Sequence, residues 1–259
     1  MFKKNYYPKI SVVMNCHNGE KYLKQSIKSV LKQSYKNLEL IFYDNKSNDK
    51  SVSIAKSFKD KRVKIFHSKN YQKLYKARNS AIKKTTGKFI SFLDTDDWWL
   101  KNKLISQVHF FKKNKNIKIV YSKFFNYNEN TKNKKINTKN LVSGKITQDL
   151  LSDYNVGILT VMICKSVFKK NKFNTNYNII GDFDFFVRLS LKYSFYAINK
   201  PLANYRSHDN NFSKIKKNEY INEFKYWLNM NDKKFKKKKI NLTFPRLTLK
   251  KLQIKNFFG

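Results

Sequence analysis

The chain has 259 residues, enough for one large domain or two small ones, and an apolar fraction of 41% that supports a substantial core. It carries 56 lysines and arginines against 17 acidic residues, a net charge of +39, but only five of the basic residues are arginine. Because arginine is the usual reader of base edges and phosphates, this charge does not favour a sequence-specific nucleic-acid reader. Two cysteines exclude a disulfide framework.

The N-terminal part of the chain alternates between short apolar runs and amphipathic segments. The apolar runs predict strands at 10–14, 38–43, 63–66 and 89–93. The amphipathic segments between them predict helices at 20–33, 50–58 and 74–84. Such an alternation indicates a parallel sheet with helices on both faces.

The pattern changes after the fourth predicted strand. Strands are predicted at 117–127, 159–163 and 195–198, with helices at 147–151 and 182–191 and a solvated polar excursion at 129–139. The second half is therefore mixed, and the fold class predicted for the whole is α/β, a Rossmann-like mixed sheet with helices on both faces.

Three carboxylates follow the predicted strand at 89–93 within four residues, namely Asp94, Asp96 and Asp97. Ligands of open α/β sheets bind at the carboxyl ends of strands. Like charges this close repel each other, and a hard divalent cation with oxygen ligands would compensate them. One acid could instead cap the helix that follows, but three exceed what a cap requires. The cluster therefore predicts a metal site.

Two other polar segments stand out, 44–49 after the second predicted strand and 181–184 at the start of a predicted helix. In a parallel sheet the loops at 44–49 and 94–97 lie at the same edge, and we expect them side by side. That edge would carry a base- or sugar-binding loop next to a metal-binding loop.

These motifs, taken in order, resemble those of the family 2 glycosyltransferases, which have a GT-A fold, over about residues 8–215. The segment 10–18 resembles the family's first strand and nucleotide-binding loop, and it contains Asn15, His17 and Asn18. The segment 44–49 is similar to the family's acidic loop, in which a carboxylate contacts the nucleobase. Here Asp44 is followed by Asn45, which leaves open which of the two contacts the base.

Two further motifs carry the resemblance to the donor and metal site. Ala77-Arg78-Asn79 matches the family's Ala-Arg-Asn, which implies that Arg78 or Asn79 helps to hold the nucleotide. Asp94-Thr95-Asp96 is similar to the DxD motif. The resemblance implies that Asp96 binds Mn²⁺ or Mg²⁺, that Asp94 contacts the ribose or a water on the metal, and that Thr95 lies in the nucleotide-sugar site. Asp97 is interpreted as a structural cap.

The segment 181–189 is similar to the family's Glu-Asp-x-Asp-Leu-Trp-Leu-Arg-Leu motif, with Gly181 in place of the first acid. The resemblance implies that Asp182 is the general base that takes the proton of an acceptor hydroxyl. The alternative is that Asp182 only caps the helix. Asp184 is interpreted as a cap or as an acceptor-site residue.

The segment 205–213 resembles the family's Tyr-Arg-x-His-x-x-Asn-x-Ser loop. This match implies that Arg206 and His208 reach the pyrophosphate or the metal. The resemblance as a whole implies a domain at 1–215, with a nucleotide-binding half at about 8–110 and an acceptor-binding half at 111–215. Residues 216–259 are then a basic C-terminal extension.

The last part of the chain, 233–259, has ten lysines and arginines and no acid, mixed with leucine, isoleucine and phenylalanine. Its apolar residues at 240–252 come closer to alternation than to helical spacing, so no helix is predicted there. It is either a solvated end or an interfacial segment that contacts an anionic membrane. No signal peptide precedes the first strand, which predicts a cytoplasmic protein, peripheral on the inner face of the membrane if that contact exists.

The resemblance implies an inverting, metal-dependent transferase of a hexosyl or N-acetylhexosaminyl group. Its donor would be a nucleotide-sugar, most simply a UDP-sugar, and its acceptor a hydroxyl of a cell-surface polysaccharide or lipopolysaccharide precursor, including a lipid-linked glycan. No nucleic-acid partner is expected. Two alternatives remain: a non-catalytic polyanion-binding protein, whose binding would fall steeply with salt, and a nucleotidyltransferase of related fold. The second would leave the Asp182 segment unexplained.

Overall fold

The computed structural model describes residues 7–114, 116–136 and 140–257. Its first part alternates strands and helices as the sequence predicts. The elements are β1 (Ile10–Cys16), α1 (Glu20–Leu31), β2 (Leu38–Asp44), α2 (Ser51–Ser57), β3 (Val63–His67), α3 (Leu74–Ile82) and β4 (Phe89–Phe92).

The rest of the described chain is mixed, with two 3-10 turns at Ile158–Thr160 and Lys165–Lys169. The first of these turns replaces the start of the strand predicted at 159–163. Part of the segment predicted as a solvated excursion at 129–139 forms a short strand, Lys134–Ile136, which pairs with the strand Ile119–Asn128. Residues 137–139 of that segment lie outside the described part of the chain. The elements are β5 (Trp98–Trp99), α4 (Lys103–Lys113), β6 (Ile119–Asn128), β7 (Lys134–Ile136), α5 (Thr147–Ser152), β8 (Met162–Cys164), α6 (Gly181–Ser190), β9 (Phe195–Ser207), α7 (Phe212–Ile215), α8 (Lys217–Lys237) and α9 (Thr243–Phe257).

Within the described residues these strands form one sheet of nine strands, with the order β3-β2-β1-β4-β8-β6-β9-β5 and β7 added beside β6. The first four strands in this order are parallel, as predicted. β8 runs antiparallel to β4 and to β6, whereas β9 is parallel to β6 over almost its whole length. The sheet is therefore continuous from the N-terminal half into the C-terminal half.

The strand order corrects one prediction. β1 lies between β2 and β4, with Cys16 opposite Asp44 on one side and Val13 opposite Phe92 on the other. The loops that follow β2 and β4 therefore share an edge of the sheet but are not neighbours. They flank the loop that follows β1.

Alternate residues of the central strands enter two hydrophobic clusters, one on each face of the sheet. Val13 and Ile41 belong to the cluster that includes α3, α6 and α8, whereas Val12 and Leu40 belong to the cluster that includes α1 and α4. This is the period of two that a strand buried on both faces imposes. The helices thus cover both faces of the sheet, and the polar loops are left at its edges.

Glu39 of β2 lies at the edge of the sheet away from those loops, with 1% of its side chain exposed. Its carboxylate accepts hydrogen bonds from Ser11 Oγ at 2.6 Å and Thr86 N at 2.7 Å, and it pairs with Lys9 and Lys64, each at 2.9 Å. Burial alone would raise the pKa of Glu39, but these bonds outweigh burial and hold the pKa well below its usual range.

The chain after β9 folds into helices and packs on the rest. α8 contributes Phe224, Trp227 and Phe235 to a core cluster. α9 forms where the spacing of apolar residues did not predict a helix, and its Leu249 packs against the same cluster. Across the described residues, no helix is long and apolar enough to cross a membrane.

Candidate active site

The acidic loop after β4 is held on both sides by basic side chains. Arg78 of α3 donates from Nη2 to Asp94 Oδ1 at 2.7 Å. The Arg78 guanidinium is buried, and it lies 5.5 Å from the centre of the Tyr75 ring and 5.6 Å from that of Phe173. A buried charge needs a partner. Asp94 supplies that partner across the gap between α3 and the loop, while Arg78 Nε is buried without a hydrogen-bond partner among the described residues.

Asp96 meets the loop that follows β9, far along the chain. Its Oδ2 lies 3.0 Å from His208 Nε2 and 3.5 Å from Asn211 Nδ2. His208 therefore lies beside the acidic loop, whereas its contact with the pyrophosphate or the metal stays a prediction. In the described part of the chain, no three histidine, cysteine or acidic side chains converge where they could hold a metal ion.

Asp97 is buried and points back into the protein. Its Oδ1 accepts a hydrogen bond from the backbone N of Arg206 at 2.8 Å, and its carbonyl oxygen accepts one from Ser26 Oγ at 2.6 Å. Burial raises the pKa of Asp97 well above its usual range, and the neighbouring carboxylates of Asp96 and Asp94 raise it further. The residue is structural, but it ties β9 to the acidic loop and does not cap α4, whose N-cap is Asn102.

The Arg206 guanidinium is bound on all sides by protein groups. Its Nε donates to the carbonyl oxygen of Asp96 at 2.8 Å, and its two terminal nitrogens donate to Glu129 and Gln25. It lies 4.2 Å from the centre of the Tyr22 ring. These bonds use three of the five N–H groups of the guanidinium and fix the acidic loop, whereas a contact of Arg206 with the pyrophosphate stays a prediction.

Asp182 lies in the first turn of α6, after the N-cap residue Ile180. Its Oδ1 accepts a hydrogen bond from the backbone N of Phe183 at 2.8 Å, and the hydroxyl of Tyr75 lies 3.3 Å from the same oxygen. Burial raises the pKa of Asp182, while the nearby Arg78 opposes the rise. The structure thus does not give Asp182 the N-cap position.

Asp182 and the acidic loop line the same cavity, which has a volume of about 340 Å³. Other walls come from the segments after α5 and β9, so both halves of the chain contribute. The cavity brings together carboxylates that are nearly ninety positions apart in the sequence. Its lining includes Tyr75, Arg78, Asp94, Asp96, Asp97, Phe124, Tyr154, Asn155, Asp182, Tyr205, Asn211 and Phe212.

A smaller cavity of about 210 Å³ lies on the other side of Asp96. It is lined by Asn18 and Thr95 from the predicted nucleotide-sugar site, and by His208. Gly19 also lines it, and a Cβ at Gly19 would lie 2.8 Å from Thr95 Oγ1. The loop after β1 and the acidic loop are therefore in direct contact.

The predicted base-binding loops meet at the carboxyl ends of β1 and β2. Asp44 is buried and its Oδ2 lies 3.2 Å from His67 Nδ1. The Asn45 side chain is buried too, and its amide exchanges hydrogen bonds with the backbone of Gln72, donating at 2.7 Å and accepting at 3.0 Å. His17 accompanies them, with its ring 4.7 Å from that of the exposed Tyr71. Both candidates for base contact are thus held by the protein.

Asn15 and Asn18 have different surroundings in the same region. Both side-chain polar atoms of Asn15 are buried without a hydrogen-bond partner among the residues described. Asn18 adopts a φ of +54° and accepts a hydrogen bond from the backbone N of Asn48 at 2.9 Å. Asn18 therefore joins the loops that follow β1 and β2.

Asn79 and Asp184 also lie outside the larger cavity. Asn79 exchanges hydrogen bonds with the backbone of Phe173, at 2.8 and 3.0 Å. Asp184 is buried, accepts from Arg188 Nε at 2.8 Å and from Trp227 Nε1 at 3.2 Å, and so joins α6 to α8. Both side chains hold elements together.

Residues to which the sequence assigned no role complete the larger cavity. Tyr75 and Tyr154 line it, as does Asn211, the asparagine of the motif at 205–213. Tyr75 lies three positions before Arg78, on the same face of α3, so the spacing was visible in the sequence. No local pattern marks Tyr154, which reaches the site from the segment after α5.

The model of the glycosyl transferase family 2 matches residues 11–183, more than half of the chain. The UDP-Glc:alpha-D-GlcNAc-diphosphoundecaprenol beta-1,3-glucosyltransferase WfgD of Escherichia coli is 36% identical over 159 residues, 61% of this chain and 61% of that protein. An uncharacterized glycosyltransferase of Rickettsia conorii, RC0461, is 33% identical over 255 residues, 96% of this chain and 42% of that protein. The chain thus spans less than two thirds of either relative.

Solved structures share the fold. Staphylococcus aureus TarS 1-349 in complex with UDP superposes with a TM-score of 0.64 at 18% identity, covering 83% of this chain and 65% of that one. The mannosyltransferase PcManGT of Pyrobaculum calidifontis, in complex with GDP-Man and Mn²⁺, gives a TM-score of 0.64 at 12% identity, covering 87% and 65%. The likeness confirms the predicted GT-A fold. Together with the family match, it shows that the chain belongs to the glycosyl transferase family 2.

Proposed function

We propose that the protein is an inverting glycosyltransferase that moves a sugar from a UDP-sugar to a hydroxyl of a lipid-linked glycan precursor. The observation that carries this proposal is the shared cavity: the acidic loop with Asp94 and Asp96 lines one side and Asp182 another. A donor held at the loop would place its anomeric carbon in the space that Asp182 faces.

Asp182 acts as the general base in this proposal. The acceptor oxygen forms a bond to the anomeric carbon while the bond from that carbon to the diphosphate oxygen breaks. The hydroxyl proton passes to Asp182 and the nucleoside diphosphate leaves, so one displacement inverts the anomeric centre. Burial raises the pKa of Asp182, which makes its carboxylate a stronger base than an exposed aspartate.

The Asp96 carboxylate fits Mn²⁺ or Mg²⁺, whereas the His208 imidazole would be a ligand of Mn²⁺ and not of Mg²⁺, which prefers oxygen ligands. Asp96 supplies a carboxylate and His208 an imidazole, 3.0 Å apart, and a cation bound by few protein groups takes its other ligands from substrate phosphates. When bound, the cation would neutralise charge on the leaving diphosphate. Asp94 is held by Arg78, which leaves its other oxygen for the ribose.

The UDP-sugar and the lipid-linked acceptor are supported by the name of the Escherichia coli relative, which states both for that protein. The nucleobase would lie at the carboxyl ends of β1 and β2, between Asp44, Asn45 and the ring pair of His17 and Tyr71. The two rings offer a face on which a base can stack.

A lipid-linked acceptor would be reached from the membrane surface, and α9 has a face suited to it. Phe244, Leu247 and Ile254 lie on one side of the helix and are 53%, 46% and 59% exposed. Lys250 and Lys251 of the same helix are exposed. We propose that this face contacts anionic lipid at the inner surface of the cytoplasmic membrane. Sedimentation with phosphatidylglycerol vesicles should therefore exceed that with phosphatidylcholine vesicles and fall in Leu247→Glu.

Calorimetric titration with UDP and GDP, in Mn²⁺ and then in EDTA, tests the donor site. We expect UDP binding that needs the cation and is lost in Asp96→Asn. Asp182→Asn should bind UDP normally yet release no UDP from UDP-glucose in the presence of GlcNAc-diphosphoundecaprenol. The exposed Asp153→Asn removes the same charge and should leave both unchanged. Transfer that persists in Asp182→Asn would refute its role as base.

A further inference from the structure

Tyr75 lies directly beneath the proposed base. It belongs to α3, its side chain is 2% exposed, and its hydroxyl donates to the carbonyl oxygen of Ile179 at 2.7 Å. The same hydroxyl lies 3.3 Å from Asp182 Oδ1. A phenol has one proton to donate. Tyr75 therefore holds the backbone just before α6 while keeping its oxygen against the carboxylate.

The Tyr75 ring packs against the backbone of Gly181. A Cβ at Gly181 would lie 2.4 Å from both Cδ2 and Cε2 of the ring, closer than side-chain carbons approach. Gly181 lies where the motif that this segment resembles has an acid. The ring of Tyr75 and any side chain at 181 therefore compete for the same space.

α3 also reaches the donor side of the cavity. Arg78, one turn after Tyr75, pairs with Asp94 at 2.7 Å, and its guanidinium lies 5.5 Å from the centre of the Tyr75 ring. One rigid turn of helix thus contacts Asp182 through Tyr75 and Asp94 through Arg78. The distance between the base and the acidic loop is set by this turn.

We propose that Tyr75 is a positioning residue for Asp182, and that Gly181 is required because the Tyr75 ring occupies the space of a side chain there. This inference rests on the proposed role of Asp182 as the base. Tyr75 acts through Asp182 by fixing the carboxylate at a set distance from the donor, so its hydroxyl should matter for the transfer step and not for donor binding.

Steady-state kinetics of Tyr75→Phe test the hydroxyl. We expect kcat to fall about tenfold, because the hydrogen bond that holds the Ile179 carbonyl just before α6 is lost and Asp182 is then placed less precisely. The KM for UDP-glucose and the Kd for UDP should stay within about twofold. Tyr35→Phe is the matched control, because its hydroxyl also donates to a backbone carbonyl at 2.7 Å, that of Pro8, away from the cavity. It should keep the wild-type kcat.

A double-mutant cycle tests the packing of the ring. Gly181→Ala alone should lower kcat at least as much as Tyr75→Phe does, because the ring must move. In Tyr75→Ala, which opens the space, adding Gly181→Ala should cause no further loss. Circular dichroism and UDP binding establish that each variant is folded, and Tyr75→Phe tests the inference even if Gly181→Ala does not fold.

The outcomes separate this inference from the function on which it rests. Transfer by Asp182→Asn would refute the base itself. An inactive Asp182→Asn beside a Tyr75→Phe with the wild-type kcat would refute only the positioning role. The positioning role is also overturned if Tyr75→Phe raises the donor KM as much as it lowers kcat, if Tyr35→Phe has the same effect, or if the two changes of the cycle add.

Discussion

Glu39→Gln should destabilise the protein by about 2 kcal/mol at pH 7. The carboxylate is buried and has two ion pairs, to Lys9 and Lys64, besides its hydrogen bonds from Ser11 and Thr86. A glutamine keeps an acceptor for the hydrogen bonds but loses both ion pairs. Breaking a buried pair costs about 3–5 kcal/mol when the remaining charge stays buried. Here the side chains of Lys9 and Lys64 are 37% and 40% exposed, so both ammonium groups can be solvated after the pairs are lost. The expected cost is therefore below that range, at about 2 kcal/mol.

The difference in unfolding free energy between wild type and Glu39→Gln depends on pH, and its direction follows from the lowered pKa of Glu39. The pKa of Glu39 is lower in the folded protein than in the unfolded chain, where it is about 4.3. The unfolded chain therefore binds the proton first, and the stability that Glu39 contributes is complete above that pH and is lost as the pH falls. The gap between wild type and Glu39→Gln should be constant from pH 7 to pH 5.5 and should narrow below about pH 4.3.

Urea unfolding followed by circular dichroism measures both effects, since urea leaves the ionic strength unchanged. Asp153→Asn, an exposed change of the same charge, is the control. The reasoning is refuted if Glu39→Gln lies within about 0.5 kcal/mol of that control at pH 7, the range expected of surface changes. A gap that does not depend on pH would show that the lost stability is packing and not charge.

Three other changes test further parts of the structure. Arg206→Lys should lower transfer about tenfold or more, because an ammonium cannot replace the separate bonds of the guanidinium that fix the acidic loop; a wild-type rate would contradict this. Gly87→Ala should lower the free energy of unfolding in urea by about 2–3 kcal/mol, because the new Cβ would lie 2.7 Å from the carbonyl oxygen of Lys9. Gly144→Ala should lower it by only about 1 kcal/mol, because Gly144 has open space around it and the cost comes from its φ of +111°. The stability of Lys103→Met relative to wild type should rise as the pH falls. Burial holds the pKa of Lys103 well below its usual range, so the unfolded wild-type chain binds the proton more tightly than the folded one, and wild type gains stability as the pH rises towards about 10. A difference in unfolding free energy between Lys103→Met and wild type that stays constant between about pH 6.5 and pH 9.5 would contradict this prediction.

The N-terminal half was predictable because its signals are local. Each apolar run at 10–14, 38–43 and 89–93 is followed directly by a polar loop. The presence of these strands, their order along the chain and the positions of the loops after them could therefore be predicted from the sequence. The order of strands across the sheet did not follow. Which strand lies in the middle depends on pairing between distant segments. The placement of β1 between β2 and β4 contradicted the expectation that the loops at 44–49 and 94–97 lie side by side.

The helix α9 was missed for a physical reason. Its buried Pro245 and partly buried Leu249 and Leu252 face the protein, while Phe244 and Leu247 face away from it. Apolar residues on two sides of a helix leave no single stripe with a period of 3.6. Periodicity therefore fails for a helix with an apolar face on each side.

The hydrogen bonds of Arg206 within the protein could not be predicted from the sequence either. Its partners Gln25 and Glu129 are 181 and 77 positions away, and a motif match cannot show that the guanidinium is already bound by them. The motif also marked His208, whose ring lies against Asp96, and the contact of His208 with the metal or the pyrophosphate stays a prediction.

The acidic loop is held in place by residues that are synthesised much later than the loop itself. Asp97 and Asp96 accept from groups at Arg206, His208 and Asn211, which are 109 to 115 positions further along the chain. A ribosome makes the N-terminal part first, at about 5–20 residues per second. The nascent chain therefore carries a nearly complete nucleotide half for several seconds before the strand that fixes its acidic loop emerges. Donor binding should begin late in synthesis, in a single step, when β9 joins the sheet.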